Sequence, residues 1–245
     1  MAHILLPTDF SDHSLNACHY ALSLFGGAGN QFTLVHAYMD PAPGDATMVD
    51  MSSALYSASV EGLALFADRF RKLKGADTAV ITTEVVYGLV APALMDLCRE
   101  KSADIIAMGT HGAMDSALFG SNAGAVAKSS RVPVLIVPKN ARFHGLRHVL
   151  LADDHTRVEP LSLRLLVKLA HQHGADIAFA LQRAHGGADL VALLQKLQDA
   201  VGGDEPGAAG NKYGVSRHRA LQDNAMTLAA MRPSFNVQCE ALALG

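Results

Sequence analysis

Two adjoining stretches decide the fold, ADIIAMGTHG at residues 103–112 and LFGSNAGAVAKSSRVPVLIVP at residues 118–138. The first contains an apolar strand, Asp104–Met108, which leads directly into a glycine-rich turn. The second contains a helix from about Ser121 to Ser129 and closes with an apolar strand at residues 132–137. Apolar runs without alternation are typical of parallel strands that are buried on both faces. This succession of strand, turn, helix and strand therefore predicts an α/β fold built on a parallel sheet.

The residues before these stretches continue the same alternation of strands and helices. Ser11 is a good N-cap for the first helix, and the glycines that begin at Gly26 end it. Residues 39–58 are expected to form a loop that enters the second helix. Such an order predicts right-handed crossovers and an open parallel sheet that helices cover on both faces. Strands are expected at residues 4–6, 32–37 and 79–87, and helices at about residues 15–25, 60–73 and 93–100.

An internal repeat is the strongest long-range signal. With an offset of 145, residues 3–37 align with residues 148–182 without a gap. Each copy contains a strand, a polar turn, a helix, a glycine stop and a second strand. The second copy has no counterpart to residues 88–138, and we therefore expect two domains, 1–140 and 147–245, of which the second is incomplete. Two further helices are expected in the second copy, at residues 190–201 and 221–231.

The composition of the chain disfavours several classes of protein. The 20 basic residues do not outnumber the 23 acidic ones and form no run, which argues against nucleic acid as the main ligand. Three widely spaced cysteines do not suggest a disulfide framework, and they fit a reducing compartment. The sequence contains neither a signal-peptide pattern nor an apolar stretch of about 18 residues, so we expect a cytoplasmic protein without a membrane partner.

The glycine-rich turn and the helix that follows it are candidates for binding phosphate. Gly109 and Gly112 follow a buried strand, and Gly120, Ser121 and Asn122 open the next helix. Glycine lets backbone amides approach a ligand closely, and a helix N-terminus offers unpaired N–H groups with a partial positive charge. Ligands of open α/β sheets bind beyond the carboxyl ends of the strands. Glycines between a strand and a helix also serve simple tight turns, and that interpretation stays open.

Asp9 follows the first strand and should reach the same edge of the sheet. Its carboxylate would accept a hydrogen bond from a ribose hydroxyl or hold Mg²⁺ through water. The alternative is that Asp9, together with Ser11, caps the next helix. His111 is likewise either a site residue or an exposed turn residue. A metal site at His171 and His173 is disfavoured, because residues two apart on a helix do not share a face.

At these residues the chain resembles the universal stress protein family. The matching pieces are ILLPTDFS at 4–11, LVHAY at 34–38 and the two stretches quoted first. The resemblance covers residues 1–140 well and 148–182 fairly, so the whole looks like a tandem two-copy member. It implies the adenine nucleotide alpha hydrolase-like fold, and it implies ATP or AMP as ligand, with or without Mg²⁺.

The resemblance also implies which residues meet the nucleotide. Ala37 would lie near the base, Asp9 near the ribose, and the glycines with Ser121 around the phosphates. The second copy keeps Asp153 and Asp154 but has no glycine turn, so we expect at most one nucleotide site, in the first copy. The implied positions are Pro7, Thr8, Asp9, Ala37, Met108, Gly109, His111, Gly112, Gly120, Ser121 and Asn122.

The loop between Gly112 and Gly120 departs from the pattern of the nucleotide-binding members. Their pattern is Gly, two residues, Gly, nine residues, then Gly-Ser or Gly-Thr. Here Gly109 and Gly112 have the expected spacing, but only seven residues separate Gly112 from Gly120. Asp115 adds an acid to this loop, which would oppose phosphate if it pointed inward. The departure weakens the phosphate end of the site more than the adenosine end.

Three hypotheses about function follow from these observations. The first is a stress-response module in which ATP or AMP changes stability or the choice of partner. The second is a family member that has lost nucleotide binding and acts as a scaffold for protein contacts. The third is a weak Mg²⁺-dependent ATPase that uses Asp9 and His111 as an acid/base pair. No catalytic motif such as GxSxG, GxxxxGK[ST] or HExxH occurs, and we therefore expect neither catalysis nor a metal site.

The apolar strand at residues 132–137 leads to a prediction about how the chain assembles. It would be the last strand of its sheet, and sheet edges are usually covered or paired. Universal stress proteins commonly pair this strand between protomers. The second copy has no equivalent strand to offer, so we expect the strand to pair with the same strand of another chain in a two-fold homodimer.

Overall fold

A computed structural model describes residues 1–39, 48–110, 121–153, 160–181 and 228–229 of the chain. The described residues fall into two compact units, one within Met1–Arg142 and one that begins at Phe143. Each unit is described by itself below. Within the described ranges, no helix combines the length and the apolar character that a membrane span requires.

The first unit is an open sheet of five parallel strands. The order in space is β3-β2-β1-β4-β5, and every neighbouring pair runs parallel, as the sequence predicts. The strands are β1 (His3–Pro7), β2 (Gln31–Tyr38), β3 (Val80–Tyr87), β4 (Ile105–Gly109) and β5 (Val134–Val137). The helices are α1 (Asp12–Phe25), α2 (Met48–Arg71), α3 (Val90–Lys101) and α4 (Ser121–Ser129), and a short 3₁₀ turn covers Ala76–Thr78.

Helices cover both faces of this sheet, which confirms the predicted architecture. Neighbouring residues of a strand point to opposite faces. On one face, Phe32 of β2 packs against Phe70 of α2 with ring centroids 6.0 Å apart. On the other face, Val35 of β2 belongs to a buried cluster with Leu94 and Leu97 of α3. Helices α1 and α2 contact each other, as do α3 and α4, so each face has a pair of helices.

The ends of α1 follow the local sequence, whereas the start of α2 does not. Ser11 is the N-cap of α1 and accepts a hydrogen bond from the Ser14 amide at 3.2 Å, and Gly26 ends the helix with φ of 75°. Both features are as predicted. The loop expected at residues 39–58 is wrong for residues 48–58, which belong to α2. Most of residues 52–58 are exposed, so no apolar stripe marks this part of the helix, although Met, Leu and Ala favour helix formation.

The second unit repeats the local order of the first. Strand β6 (His148–Asp153) leads through α5 (Pro160–His173) to β7 (Asp176–Leu181), and a two-residue strand, β8 (Leu228–Ala229), follows later. The pairing His148↔Asp176 equals the first-unit pairing His3↔Gln31 shifted by 145. The predicted helix 190–201 lies outside the described residues. The helix predicted at 221–231 is wrong for Leu228 and Ala229, which form β8. A two-residue strand forms only by pairing with a neighbouring segment, and local periodicity does not show such pairing.

Candidate functional site

The carboxyl ends of three adjacent strands form the candidate site. Pro7 ends β1, Ala37 lies one residue before the end of β2, and Met108 and Gly109 lie at the end of β4. Strand β1 lies between the other two, so the structure brings these four residues to one edge of the sheet. The chain leaves β1 for the face covered by α1 and leaves β4 for the face covered by α4. Such a change of direction opens a crevice beyond the strand ends, which is where ligands of open α/β sheets bind.

Thr8 lies at the edge of this crevice, but its amide and its hydroxyl form hydrogen bonds within the protein. The residue is 8% exposed, and its amide donates to the Val35 carbonyl at 2.8 Å. Its hydroxyl forms a hydrogen bond with the Ser14 hydroxyl at 2.8 Å and accepts one from the Phe10 amide at 2.9 Å. Thr8 therefore orders the turn after β1, and its predicted contact with a nucleotide stays a prediction.

Asp9 takes part in the start of α1, as the alternative interpretation predicts. Its Oδ1 accepts hydrogen bonds from the Ser11 hydroxyl at 2.5 Å and from the Ser11 amide at 3.1 Å. Ser11 in turn caps α1. The side chain of Asp9 is exposed at the same edge of the sheet as Ala37. Capping and ligand binding therefore do not exclude each other, and the role of Asp9 toward a ribose stays a prediction.

Phe10 and His36 are structural features of the turn that the sequence analysis missed. Phe10 has φ of 66°, a left-handed conformation that bulky residues rarely adopt. Its ring stacks on the His36 imidazole, with centroids 4.1 Å apart and an interplanar angle of 25°. His36 Nδ1 lies 2.8 Å from the Thr8 carbonyl oxygen and donates to it, because a carbonyl only accepts. The sequence carries one sign of this role for His36. It is a polar residue near the end of the otherwise apolar strand LVHAY.

The ring of Phe10 also lies tightly against helix α2. A Cβ atom placed on Gly62 would stand 2.7 Å from Phe10 Cε2, which is closer than real side chains come. The Phe66 ring lies on the same side, with its centroid 6.2 Å from that of Phe10. The turn after β1 is thus held between β2 and α2, and Gly62 provides the space for its aromatic ring.

The helix α4 begins beside the end of β4. Met108 of β4 shares a buried cluster with Ala123 and Val126 of α4, which places the first turn of α4 near the site edge. Ser121 and Asn122 are the first two residues of this helix, and Asn122 is exposed. The predicted site residues His111, Gly112 and Gly120 lie outside the described residues, and their roles stay predictions.

The two described cysteines are buried and contribute no reactive group to the site. Burial raises the pKa of the Cys98 thiol to about 11, and it raises the pKa of Cys18 even further. Both thiols are therefore protonated near neutral pH and act as small buried hydrophobic side chains. Across the described ranges, no group of three or more His, Cys, Asp or Glu residues is arranged to hold a metal ion.

The strand order, the helices on both faces and the crevice at the carboxyl edge define an α/β protein with the adenine nucleotide alpha hydrolase-like fold. Comparison with known families gives the particular group. Residues 1–138 match the universal stress protein family, and the chain belongs to this family.

Individual relatives agree with this assignment. The universal stress protein MJ0531 of Methanocaldococcus jannaschii is 29% identical over 142 residues, which cover 56% of this chain and 81% of that protein. A universal stress protein from Archaeoglobus fulgidus has a similar fold, with a TM-score of 0.57 and 20% identity, over 82% of this chain and 73% of its own. A universal stress protein solved in complex with cAMP is 28% identical, with a TM-score of 0.43, over 56% of this chain and 96% of its own.

Proposed function

We propose that the first unit is a stress-response module that binds an adenine nucleotide, ATP or AMP, at the carboxyl edge of β1, β2 and β4. The observation that carries the proposal is the convergence of Pro7, Asp9, Ala37 and Gly109 at this edge in a member of the universal stress protein family. These are positions that the family resemblance implies for the nucleotide.

Each part of the nucleotide has a matching group at the proposed site. Ala37 presents a small apolar side chain to the base, and the Asp9 carboxylate accepts from ribose hydroxyls. Gly109 leads from β4 toward the phosphates, and the N-terminus of α4 offers N–H groups and a partial positive charge to the same end. Mg²⁺, if present, would accompany the phosphates.

The proposed action is binding and not catalysis. The hydroxyls of Thr8, Ser11 and Ser14 bond to each other, to Asp9 or to backbone groups of the same turn. We interpret this arrangement as one that orders the turn, because Ser11 also caps α1 and the Thr8 hydroxyl bonds within the same turn. A ligand that binds only the folded state stabilises that state by mass action, about 2.7 kcal/mol at a hundredfold excess over Kd. Such a gain in stability, or a changed surface for partners, is the output that we propose.

The test is a calorimetric titration of nucleotide-stripped protein with ATP and with AMP, each with and without Mg²⁺. The variant Gly109→Val should abolish binding because the side chain would block the turn after β4. The variant Asp9→Asn removes the charge at the ribose position but keeps an oxygen acceptor for Ser11, and it should weaken binding without unfolding the protein. Its matched control is Asp77→Asn, an exposed acid in the 3₁₀ turn before β3, at the opposite edge of the sheet.

The results separate the three hypotheses. Saturable binding near one site per chain that Gly109→Val abolishes supports the nucleotide module. A folded protein that gives no heat with either nucleotide supports the scaffold without nucleotide. Release of phosphate from ATP that requires Mg²⁺ supports the weak ATPase and contradicts the proposal that the unit is not an enzyme.

The second unit and the assembly are separate parts of the proposal. The matching registers of β1 with β2 and of β6 with β7 support a tandem repeat. The two-fold dimer through residues 132–137 is tested by light scattering over a concentration series, and a monomer at every concentration contradicts it. The cytoplasmic location stays a prediction.

A further inference from the structure

We propose that His36 is a positioning residue that holds the turn Thr8–Phe10 in the shape required to present Asp9 to a ligand. The effect on ligand binding rests on the proposed function, whereas the effect on the turn does not. His36 itself is placed on the face of β2 opposite to Ala37, so it acts through the turn and does not touch the nucleotide.

The turn is a conformation that needs support. The φ of 66° at Phe10 is unfavourable for a residue with a large side chain, and no glycine or asparagine stands there to relieve it. Contacts from the rest of the protein must therefore hold it. Two elements supply them, the strand β2 through His36 and the helix α2 through Gly62 and Phe66.

Strand β2 fastens Thr8 at both of its backbone polar groups. The amide of Thr8 donates to the Val35 carbonyl, and the carbonyl of Thr8 accepts from His36 Nδ1, both at 2.8 Å. The first bond continues the pairing of parallel strands, which any residue at position 36 permits. The second bond exists only because a side-chain donor stands at position 36, and it fixes the peptide that leads into Asp9. The position of Asp9 relative to Ala37 is thereby set by β2.

The imidazole makes a second contact with the same turn, on the next residue. Its ring lies nearly parallel to the Phe10 ring at 4.1 Å, and on α2 the backbone of Gly62 leaves no room for Phe10 to move away. A donor at Nδ1 and a flat ring are both needed for these contacts, and histidine supplies both in one side chain. Asn supplies the donor without the ring, and Phe supplies the ring without the donor.

Two substitutions at position 36 separate these contributions. His36→Phe keeps the stacking on Phe10 and removes the donor to Thr8. His36→Asn keeps an N–H close to the place of Nδ1 and removes the stacking. Amide hydrogen exchange, followed by NMR in the intact protein, reports on two hydrogen bonds of the turn. The Phe10 amide donates to the Thr8 hydroxyl, and the Ser11 amide donates to the Asp9 carboxylate.

The expected result is faster exchange of these two amides in His36→Phe, by about two- to tenfold, which corresponds to the loss of one hydrogen bond. Exchange in His36→Asn should stay closer to that of the unmodified chain. Nucleotide affinity should fall by a similar factor in His36→Phe and be rescued by His36→Asn. Unchanged exchange in His36→Phe, or an equal effect of the two variants, overturns the proposal.

If His36→Phe does not fold, the exchange rates of His36→Asn, compared with those of Gly62→Ala, carry the test. Gly62→Ala leaves His36 in place and pushes a methyl group against the Phe10 ring, so exchange at Phe10 and Ser11 should again be faster. Gly124→Ala is the matched control, because a Cβ there meets nothing within 4 Å and leaves the turn untouched. If the unmodified protein binds no nucleotide, the proposed function fails, but the exchange measurements still decide the role of His36.

Discussion

The segments β1-α1-β2 and β6-α5-β7 have the same order and the same strand register, yet they differ in burial. Leu5 of β1 is completely buried, whereas Leu150, which occupies the equivalent place in β6, is 49% exposed. The preceding residues, Ile4 and Val149, are both buried. At these two positions, the difference lies on the face of the strand that carries Leu5 or Leu150.

The later elements of the first unit explain this difference. Leu5 is buried in a cluster whose other members include Leu94 and Leu97 of α3, Ile106 of β4 and Val126 of α4. Among the described residues of the second unit, no helix corresponds to α3 or α4. The comparison teaches that the local sequence determines how two strands pair, while the burial of their second face is supplied by segments far along the chain.

The largest expected effect is at the two leucines themselves. Leu5→Ala should lower the free energy of unfolding by about 2–5 kcal/mol, because it removes packed methyl groups and leaves a cavity. Leu150→Ala should cost about 1 kcal/mol or less, since half of the side chain is already in water. Chemical denaturation of both variants measures this difference. Equal losses would mean that the exposed face of β6 is covered in solution.

The next effect concerns Gly27, the second residue after α1. A Cβ on Gly27 would stand 2.1 Å from the backbone oxygen of Gly75, so Gly27→Ala forces the backbone to move and should cost about 1–3 kcal/mol. At the offset of 145, the residue of the second unit that corresponds to Gly27 is Gln172, which is exposed within α5. Gln172→Ala should change stability by no more than about 0.5 kcal/mol. Thermal unfolding of the pair tests whether the tight turn is specific to the first unit.

A smaller effect is expected at His3 and at His148, which corresponds to it at the offset of 145. His3 bonds through its ring to the Lys101 carbonyl at 3.1 Å and to the Thr33 hydroxyl at 2.7 Å. The side chain of His148 is 45% exposed, and its Nδ1 lies 3.7 Å from Asp176 Oδ2. His3→Ala should cost about 1–2 kcal/mol and His148→Ala about 0.5 kcal/mol or less. A larger loss in the His148 variant, measured by urea denaturation, contradicts the comparison.

The smallest effect appears at alkaline pH and concerns the two buried thiols of the first unit, Cys18 and Cys98. The ordinary pKa of a thiol is 9.0, and burial raises the pKa of Cys98 to about 11 and that of Cys18 further. At the offset of 145, Leu163 of the second unit corresponds to Cys18. Above pH 9 the unfolded chain loses these protons while the folded chain keeps them. The stability is therefore complete below pH 9 and falls as pH rises from 9 toward 11.

At pH 9.5 the loss should be about 1 kcal/mol or less for each thiol. Denaturation curves at pH 7.5 and pH 9.5 measure it, and the double variant Cys18→Ala, Cys98→Ala serves as the control. The control should show a smaller fall between the two pH values than the unmodified chain. An equal fall in both proteins would place the alkaline sensitivity elsewhere.

The sheet and most helices of the first unit could be predicted because the signals for them are local. The apolar strands β4 and β5 stand out from their neighbours, and Ser11 and Gly26 mark the two ends of α1. The early part of α2 could not be predicted from an apolar pattern, because most of residues 52–58 are exposed. The two-residue strand β8 carries no local signal at all.

The edge that holds the candidate site could also be predicted, since the ends of parallel strands meet at one side of a sheet. The hydrogen bonds and the packing of the individual residues at this edge could not be predicted. The bond from His36 to Thr8 joins residues that are 28 positions apart, and the place of the Phe10 ring depends on a glycine in α2. Such contacts follow from how three elements pack together, and no spacing within a single segment reveals them.

The position of β1 in the middle of the sheet has a consequence for synthesis on the ribosome. Among the strands of the first unit β1 is made first, and its partner β2 is complete once Tyr38 has emerged. Its other partner, β4, begins only at Ile105. Throughout that interval a strand that contains Ile4, Leu5 and Leu6 has one unpaired edge, which is the kind of surface that promotes wrong pairing between chains. The nascent first unit therefore needs protection at its oldest segment until its fourth strand arrives.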